Sequence, residues 1–385
     1  MIRCNTGSSI LDDAFEAGKQ AASKAKEGLS DIKMAFVYSS VAYASGDLLA
    51  GIKQELPSTP FIGNTSSAGV ITPEGFISSD DGFVGIMAVS GDVEIGIAGG
   101  EKTGDPRECG KQLALQAMKN AGKTTAPDYF YMAAPPAEEE FFLAGVSEAI
   151  GRVPFFGGSA ADNEISGAWE LYTQEGHFSD GLVLAFFYGD MPMTNLFTGA
   201  YRETDNVGII TKVRDNRVLV EIDGEPALKK YASWAGVDPE SLKGGELLVY
   251  TITSPLGVKD RMGKLTAIRH PMNGNDDYSM NIGANLAEKT AIIRMEGSVD
   301  GLISSAADKI RELIESAPTP PSALHLVHCG GRLVGIGNRR DEMAAAVLEA
   351  AGDIPFIMEF TFGEYGFVDD GANTVGGLML SYTAF

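Results

Sequence analysis

A Pro-Phe pair that opens a short apolar run and then breaks into small polar residues occurs three times in this chain. The three copies are Pro60-Phe61-Ile62-Gly63-Asn64-Thr65, Pro154-Phe155-Phe156-Gly157-Gly158-Ser159 and Pro355-Phe356-Ile357-Met358-Glu359-Phe360-Thr361. Each follows an apolar run and a helical stretch. Each precedes a second apolar run, opened by Gly82, by Gly181 or by Gly376-Gly377. Such a chain reads as one unit used three times.

The spacing identifies the unit. Met34 to Tyr38 predicts a buried strand, Ser45 to Leu56 a helix with Leu48, Leu49 and Ile52 on one face, and Pro60 to Ile62 the next strand. Tyr129 to Ala133, Glu138 to Ile150 and Pro154 to Phe156 repeat that order, and Leu324 to Val327, Asp341 to Ala351 and Pro355 to Phe360 repeat it again. Strand, crossover helix, strand is the βαβ unit, which sets a parallel pair side by side in one sheet. The expected fold class is α/β: repeated βαβ units forming mixed sheets flanked by helices. Ligands of such sheets sit beyond the carboxyl ends of the strands, where these polar breaks fall.

From about Met193 to Met295 the pattern changes. Short β-branched runs (Val207 to Val213, Arg217 to Ile222, Leu247 to Ile252, Gly263 to Ile268, Thr290 to Met295) alternate with turn pairs such as Asp215-Asn216 and Asn273-Gly274. This predicts a mainly antiparallel β insert in the C-terminal half. A short helix is expected after Asp223-Gly224, and a longer one over Ser298 to Ser316, closed by Pro318, Pro320 and Pro321.

With 385 residues and 44% hydrophobic content, the chain has material for two or three cored domains. Its 30 basic against 52 acidic residues leave a net charge of −22, a field that repels nucleic acid and anionic membranes alike. Cys4, Cys109 and Cys329 are too few and too scattered for a disulfide framework. No signal-peptide core or spanning run is present in the sequence, so a cytoplasmic setting is expected.

Six segments in order carry a family resemblance: Pro60 to Gly69, Pro154 to Asn163, Ile222 to Leu228, Ser254 to Val258, Cys329 to Arg332 and Phe360 to Glu364. Together they resemble the FIST family of bacterial and archaeal sensory modules, which pairs an N and a C domain; here these would span 1–222 and 223–385. The resemblance implies a small-ligand-binding sensor of signal transduction, with amino acids the proposed ligands, and some relatives are similar to haem-based gas sensors. Two departures stand out: Asn64 replaces a Cys frequent in the family, and no kinase-, cyclase- or receptor-like output is recognisable, so signalling would pass to a separate output protein.

The residues themselves support a polar site. Asn64, Thr65, Ser66, Gly157, Gly158, Ser159, Asp162 and Asn163 offer short hydrogen-bonding groups and flexible backbone at strand ends, although such residues are equally favoured as caps and turns. Arg332, beside Cys329, is the expected receiver of an anionic group, with Arg202, Arg269 and Arg294 as secondary candidates of the same kind. Glu359 and Glu364 are expected to face a ligand's ammonium, Glu359 because it interrupts an apolar strand. No metal or cofactor site is expected, because His325 and His328, three apart on a strand, point to opposite faces, and His177 and His270 are isolated. Walker, dinucleotide-binding, Gly-x-Ser-x-Gly and His-Glu-x-x-His motifs are absent from the sequence, so a catalytic role is not expected. The reading is a sensor for an amino acid or other small carboxylate, with a haem-based gas sensor or an uncharacterised enzyme as alternatives.

Overall fold

The computed structural model describes residues 2–189, 192–367 and 373–385. The first unit runs β1 (Arg3–Ser9), α1 (Ala14–Ala25), β2 (Ile32–Ser39), α2 (Ser45–Glu55), β3 (Phe61–Thr65), the hairpin β4 (Val70–Thr72) and β5 (Gly75–Ile77), and β6 (Val84–Ser90). The second repeats it with β7 (Glu94–Glu101), α3 (Pro106–Asn120), β8 (Tyr129–Ala134), α4 (Glu139–Ile150), β9 (Phe155–Ser159), the hairpin β10 (Leu171–Thr173) and β11 (Gly176–Phe178), and β12 (Gly181–Tyr188).

The third unit opens with β13 (Thr194–Thr198) and is then interrupted. The insert contains β14 (Arg202–Arg214), β15 (Val218–Ile222), β16 (Glu225–Pro226), α5 (Ala227–Ala235), α6 (Glu246–Thr251), β17 (Leu256–Lys259), β18 (Leu265–Arg269), β19 (Pro271–Gly274), β20 (Met280–Ile282) and β21 (Ala291–Glu296). The unit resumes with α7 (Val299–Ser316), β22 (Leu324–Cys329), α8 (Gly330–Ile336), α9 (Arg340–Ala351), β23 (Phe356–Thr361), the hairpin β24 (Glu364–Gly366) and β25 (Thr374–Gly376), and β26 (Leu380–Ala384).

The predicted parallel pairs are present: β2 with β3, β8 with β9 and β22 with β23. Every other pairing in these three sheets is antiparallel. Local start signals hold the helices where expected. Asp105 caps α3 by accepting from the backbone N–H groups of Arg107 and Glu108 ahead of Pro106, and Ser298 caps α7 through Gly301 N–H.

No sheet is completed by its own unit. The hairpin of the first unit adds to the third sheet (β4 on β23), that of the third adds to the second (β24 on β9), and that of the second adds to the first (β10 on β3). The exchange is cyclic, and the three sheets share one strand order. At its centre a closed circle of backbone hydrogen bonds links the units: Ser67 N–H to Phe360 O (2.9 Å), Ala161 N–H to Thr65 O (2.9 Å) and Phe362 N–H to Ser159 O (3.2 Å). Counted from each Pro-Phe pair these donors and acceptors are equivalent, so the chain has pseudo-threefold symmetry. The parallel strand register makes Phe36, Tyr131 and His325 equivalent, since they pair with Ile62, Phe156 and Ile357, each two past its unit's proline, and their rings meet pairwise at centroid separations of 5.0, 4.8 and 5.5 Å.

The inner sheet faces bury Met34, Phe36, Ile62, Tyr131, Phe156 and Ile357 in one common core. The outer faces are covered by helix pairs, with α1 and α2 over the first sheet, α3 and α4 over the second, and α7 and α9 over the third. The insert forms its own antiparallel sheet over a separate apolar cluster. One expected strand there is helical. Leu247 to Ile252 lies on α6, with Leu247 and Thr251 buried one turn apart and Thr251 Oγ1 donating to Leu247 O and Pro271 O. A six-residue apolar run fits either period, and tertiary packing selects the helix. The position near residue 222 lies within this insert, between β15 and β16. Among the described residues no helix is long and apolar enough to cross a membrane.

Gly157 shows how tightly the units close. It has φ +136°, and a Cβ there would lie 1.9 Å from Met132 O, whereas Gly151, at φ +74°, has nothing within 4 Å. Gly157→Ala is therefore expected to cost more than ~3 kcal/mol and Gly151→Ala about 1 kcal/mol, read from urea unfolding midpoints. Equal losses would mean that β8 and β9 do not approach as described.

Candidate functional site

The polar ends of β3, β9 and β23 meet around the backbone circle, as the repeat pattern predicts, but they meet as a buried ring. Asn64, Gly158 and Glu359 occupy equivalent ring positions. Asn64 Nδ2 donates to Glu359 Oε2 (2.8 Å), and Asn64 Oδ1 accepts from the Tyr131 hydroxyl (3.0 Å). Gly158 leaves room at the third position, since a Cβ there would lie 2.5 Å from Thr361 Cγ2 and 2.9 Å from Val327 Cγ1. Tyr38 continues the chain, lying 3.2 Å from the Tyr131 hydroxyl and 2.5 Å from His325 Nε2. With the ring proton of His325 on Nε2, each proton has an acceptor in one direction: His325 to Tyr38 to Tyr131 to Asn64, and from Asn64 Nδ2 to Glu359.

Burial controls the charge of this ring. It pushes Glu359 up to about 8 against the lowering effect of hydrogen bonds from Asn64, Tyr38 and Tyr131, so a neutral acid is the form held at pH 7. Burial likewise holds His325 and His328 near 3, both neutral imidazoles. Two enclosed atoms here lack a hydrogen-bond partner among the described residues, Glu359 Oε1 and His325 Nδ1; His328, whose Nε2 is also unpartnered, lies on the opposite face of β22 against Phe360.

A second polar cluster adjoins the ring through Ser159, whose Oγ lies 2.8 Å from the Tyr365 hydroxyl and donates to Glu139 Oε1 (3.2 Å). Glu139 sits buried at the first turn of α4. Burial raises its pKa, Arg217 opposes the rise and Glu140 adds to it. Arg217, from the β14–β15 turn of the insert, bonds Glu139 (2.8 Å) and Glu140 (2.5 Å) through one nitrogen. The insert is thus tied to the second unit by charge.

The remaining expected residues take other places. Thr65 Oγ1 accepts from Glu170 N–H, and Ser66 Oγ accepts from Phe360 N–H and donates to Gly69 O, so both lock the exchanged strands. Gly157 and Gly158 are paired with β8 on one side and β24 on the other. Asp162 accepts from the N–H groups of Glu164, Ile165, Ser166, Gly167 and Ala168. Burial pushes its pKa up, and these donors outweigh that and hold it below the usual carboxylate value. Asn163 Oδ1 accepts from Ala68 N–H at the exposed rim. Cys329 is buried, its Sγ accepts from Leu378 N–H, and burial pushes the thiol pKa up, leaving it a neutral acceptor.

Arg332 differs from the expectation of an open cation. It is fully buried on α8, with Nη1 donating to Gly199 O and Leu378 O, and Nη2 to Leu302 O and Ser305 Oγ. Those bonds occupy the groups that a carboxylate would need. Glu364 is buried and accepts from Met379 N–H and Thr361 Oγ1, and burial raises it to about 8 despite those donors. Glu139, Arg217, Tyr38, Tyr131, Tyr365 and His325 belong to the arrangement and were not singled out from sequence for it. The spacing from the Pro-Phe pairs differs for Phe36, Tyr131 and His325, so it is the parallel strand register that shows the last of these to be axial.

A family model for the FIST N domain matches residues 33–225, and one for the FIST C domain matches 227–366. The chain belongs to the FIST family. FIST domains are associated with sensing in signal transduction. No curated protein sequence matches. Solved structures with partial likeness include a cyanuric acid hydrolase from A. caulinodans, at 11% identity and TM-score 0.34 over 100% of this chain and 99% of that one. A second cyanuric acid hydrolase structure has 11% identity and TM-score 0.29 over 77% and 100%. PurLQS from Thermotoga maritima has 10% identity and TM-score 0.24 over 100% and 72%. Similarity at this level speaks to neither activity nor ligand.

The raised pKa of Glu359 makes a signed prediction for this FIST protein. An acid whose folded pKa lies above its unfolded value stabilises fully below the unfolded value, and that stability is lost as pH rises through the folded value, here between about 4.5 and about 8. Glu359→Gln keeps the shape of the neutral acid without the ionisation. Relative to the parent chain, the variant is expected to gain on the order of 2–4 kcal/mol between pH 5 and pH 8. Parallel pH-dependent unfolding curves for the two proteins would disprove it.

Proposed function

We propose that this FIST protein is a sensor that binds an amino acid or other small carboxylate in the cytoplasm and passes the signal to a separate output protein. The observation that carries this reading is the buried polar ring with its two enclosed, unpartnered atoms, Glu359 Oε1 and His325 Nδ1, held where all three units meet. Such atoms are costly to leave dry, which favours a state in which a small polar molecule or a rearranged hydrogen-bond pattern satisfies them. Because the ring residues come from all three units, any change there alters how the units sit together. The insert, tied to Glu139 and Glu140 by Arg217, is the element placed to relay it. Its strand β14 carries the exposed apolar side chains Val207 and Ile209, a surface for the output protein.

A thermal-shift screen of the whole chain against the amino acids and small mono- and dicarboxylates tests this. At 100 times its dissociation constant a true ligand adds about 2.7 kcal/mol of stability, a rise of a few degrees in the midpoint. A flat response across the panel at millimolar concentration would refute the ligand class.

A further inference from the structure

We infer that the cleft between α4, β25 and the insert is a binding site for a small organic carboxylate, with Arg269 as the group that receives its negative charge. The inference rests on the sensor reading and places its ligand. The cleft holds about 240 Å³, space for a compact molecule, and is lined by Leu143, Ala144, Arg269, Asn373 and Val375, together with Glu140, whose carboxylate is engaged by Arg217 and by Asn285 N–H.

Arg269 is the unusual residue. Its Nε donates to Asn285 O (3.0 Å), and its Nη1 donates to Ile268 O (3.2 Å) and Val375 O (2.9 Å). Three carbonyls fix the guanidinium in place without neutralising it. Among the described residues no carboxylate lies within ion-pairing distance of it, and its Nη2 makes no hydrogen bond. Arg217 nearby shows the contrast, with both Glu139 and Glu140 on one nitrogen. Burial pulls Arg269 down to about 10, a penalty that Glu140 offsets and Arg217 increases. A cation positioned and left uncompensated beside a cleft, in a chain of net charge −22, is the arrangement that a carboxylate completes.

The rest of the lining suits the same ligand. Asn373 Nδ2 donates to Val153 O, while its enclosed Oδ1 has no partner among the described residues. Leu143, Ala144 and Val375 supply an apolar wall for a short carbon chain. From the proposed site a path of direct contacts reaches the ring, because Glu140 shares Arg217 with Glu139, and Glu139 accepts from Ser159.

The test is a methyl NMR titration of the full chain with sodium propionate, against propylammonium chloride and sodium chloride at matched ionic strength. Propionate is expected to shift the Leu143, Ala144 and Val375 methyl signals saturably, and the two controls are not. Arg269→Gln should weaken this at least tenfold, Arg269→Lys should retain part of it, and Ala144→Leu, which fills the cleft from the helix side, should abolish it even if Arg269→Gln fails to fold. Absence of propionate shifts at these methyls in the parent chain, or saturable shifts unchanged in Arg269→Gln and Ala144→Leu, would overturn the site. A carboxylate that raises the thermal midpoint equally in parent and Arg269→Gln defeats this site and leaves the sensor reading standing. A flat thermal screen alongside saturable, Arg269-dependent propionate shifts defeats that reading and leaves the site.

Discussion

Three backbone hydrogen bonds closing a circle through Thr65, Ser159 and Phe360 are the constraint on which the other features depend. They are possible only because each unit gives its hairpin to a neighbour, so that the end of each central parallel strand is capped by another unit's backbone. Once the exchange is made, each of the three repeat sheets has six strands and their core is shared. The energetic gain is the pairing of edge groups that each unit alone would leave unsatisfied beside an apolar surface.

Symmetry of the backbone coexists with asymmetry of the chemistry. The ring positions hold an amide, a glycine and a carboxyl (Asn64, Gly158 and Glu359), and the axial positions a phenyl, a phenol and an imidazole (Phe36, Tyr131 and His325). These differences fix the ends of the hydrogen-bond chain, with the Asn64 amide donating to Glu359 at one end and His325 against Tyr38 at the other. The low dielectric around the ring then keeps Glu359 neutral and His325 uncharged, so the network holds protons rather than charges. Charge is confined to its border, where Arg217 meets Glu139 and Glu140.

The parts of the fold legible in the sequence are those with a period. The three parallel pairs, their crossover helices and the β character of the insert follow from apolar spacing and turn residues. The convergence of the polar strand ends follows from their common place in the repeat. Hairpin exchange was not legible, because β4, β10 and β24 are three-residue strands whose partners lie in other units, and local pattern does not say which edge a strand joins. For the same reason Arg332 read as an open cation: its carbonyl partners at Gly199, Leu302 and Leu378 come from distant parts of the chain. Arg269 ranked below Arg332 as a receiver of an anionic group, alongside Arg202 and Arg294, since a cation's lack of a counter-charge is a property of the assembled site. The helical α6 was hidden by a short run that both periods fit.

The cyclic exchange also orders events in time. As the chain leaves the ribosome, β3 emerges long before β10, β9 before β24, and β4 must wait for β23, so the first and third sheets are joined across almost the full length of the polypeptide. The N-terminal unit therefore spends much of synthesis with an unpaired hairpin and an open sheet edge. Contacts of such long separation make closure late and cooperative.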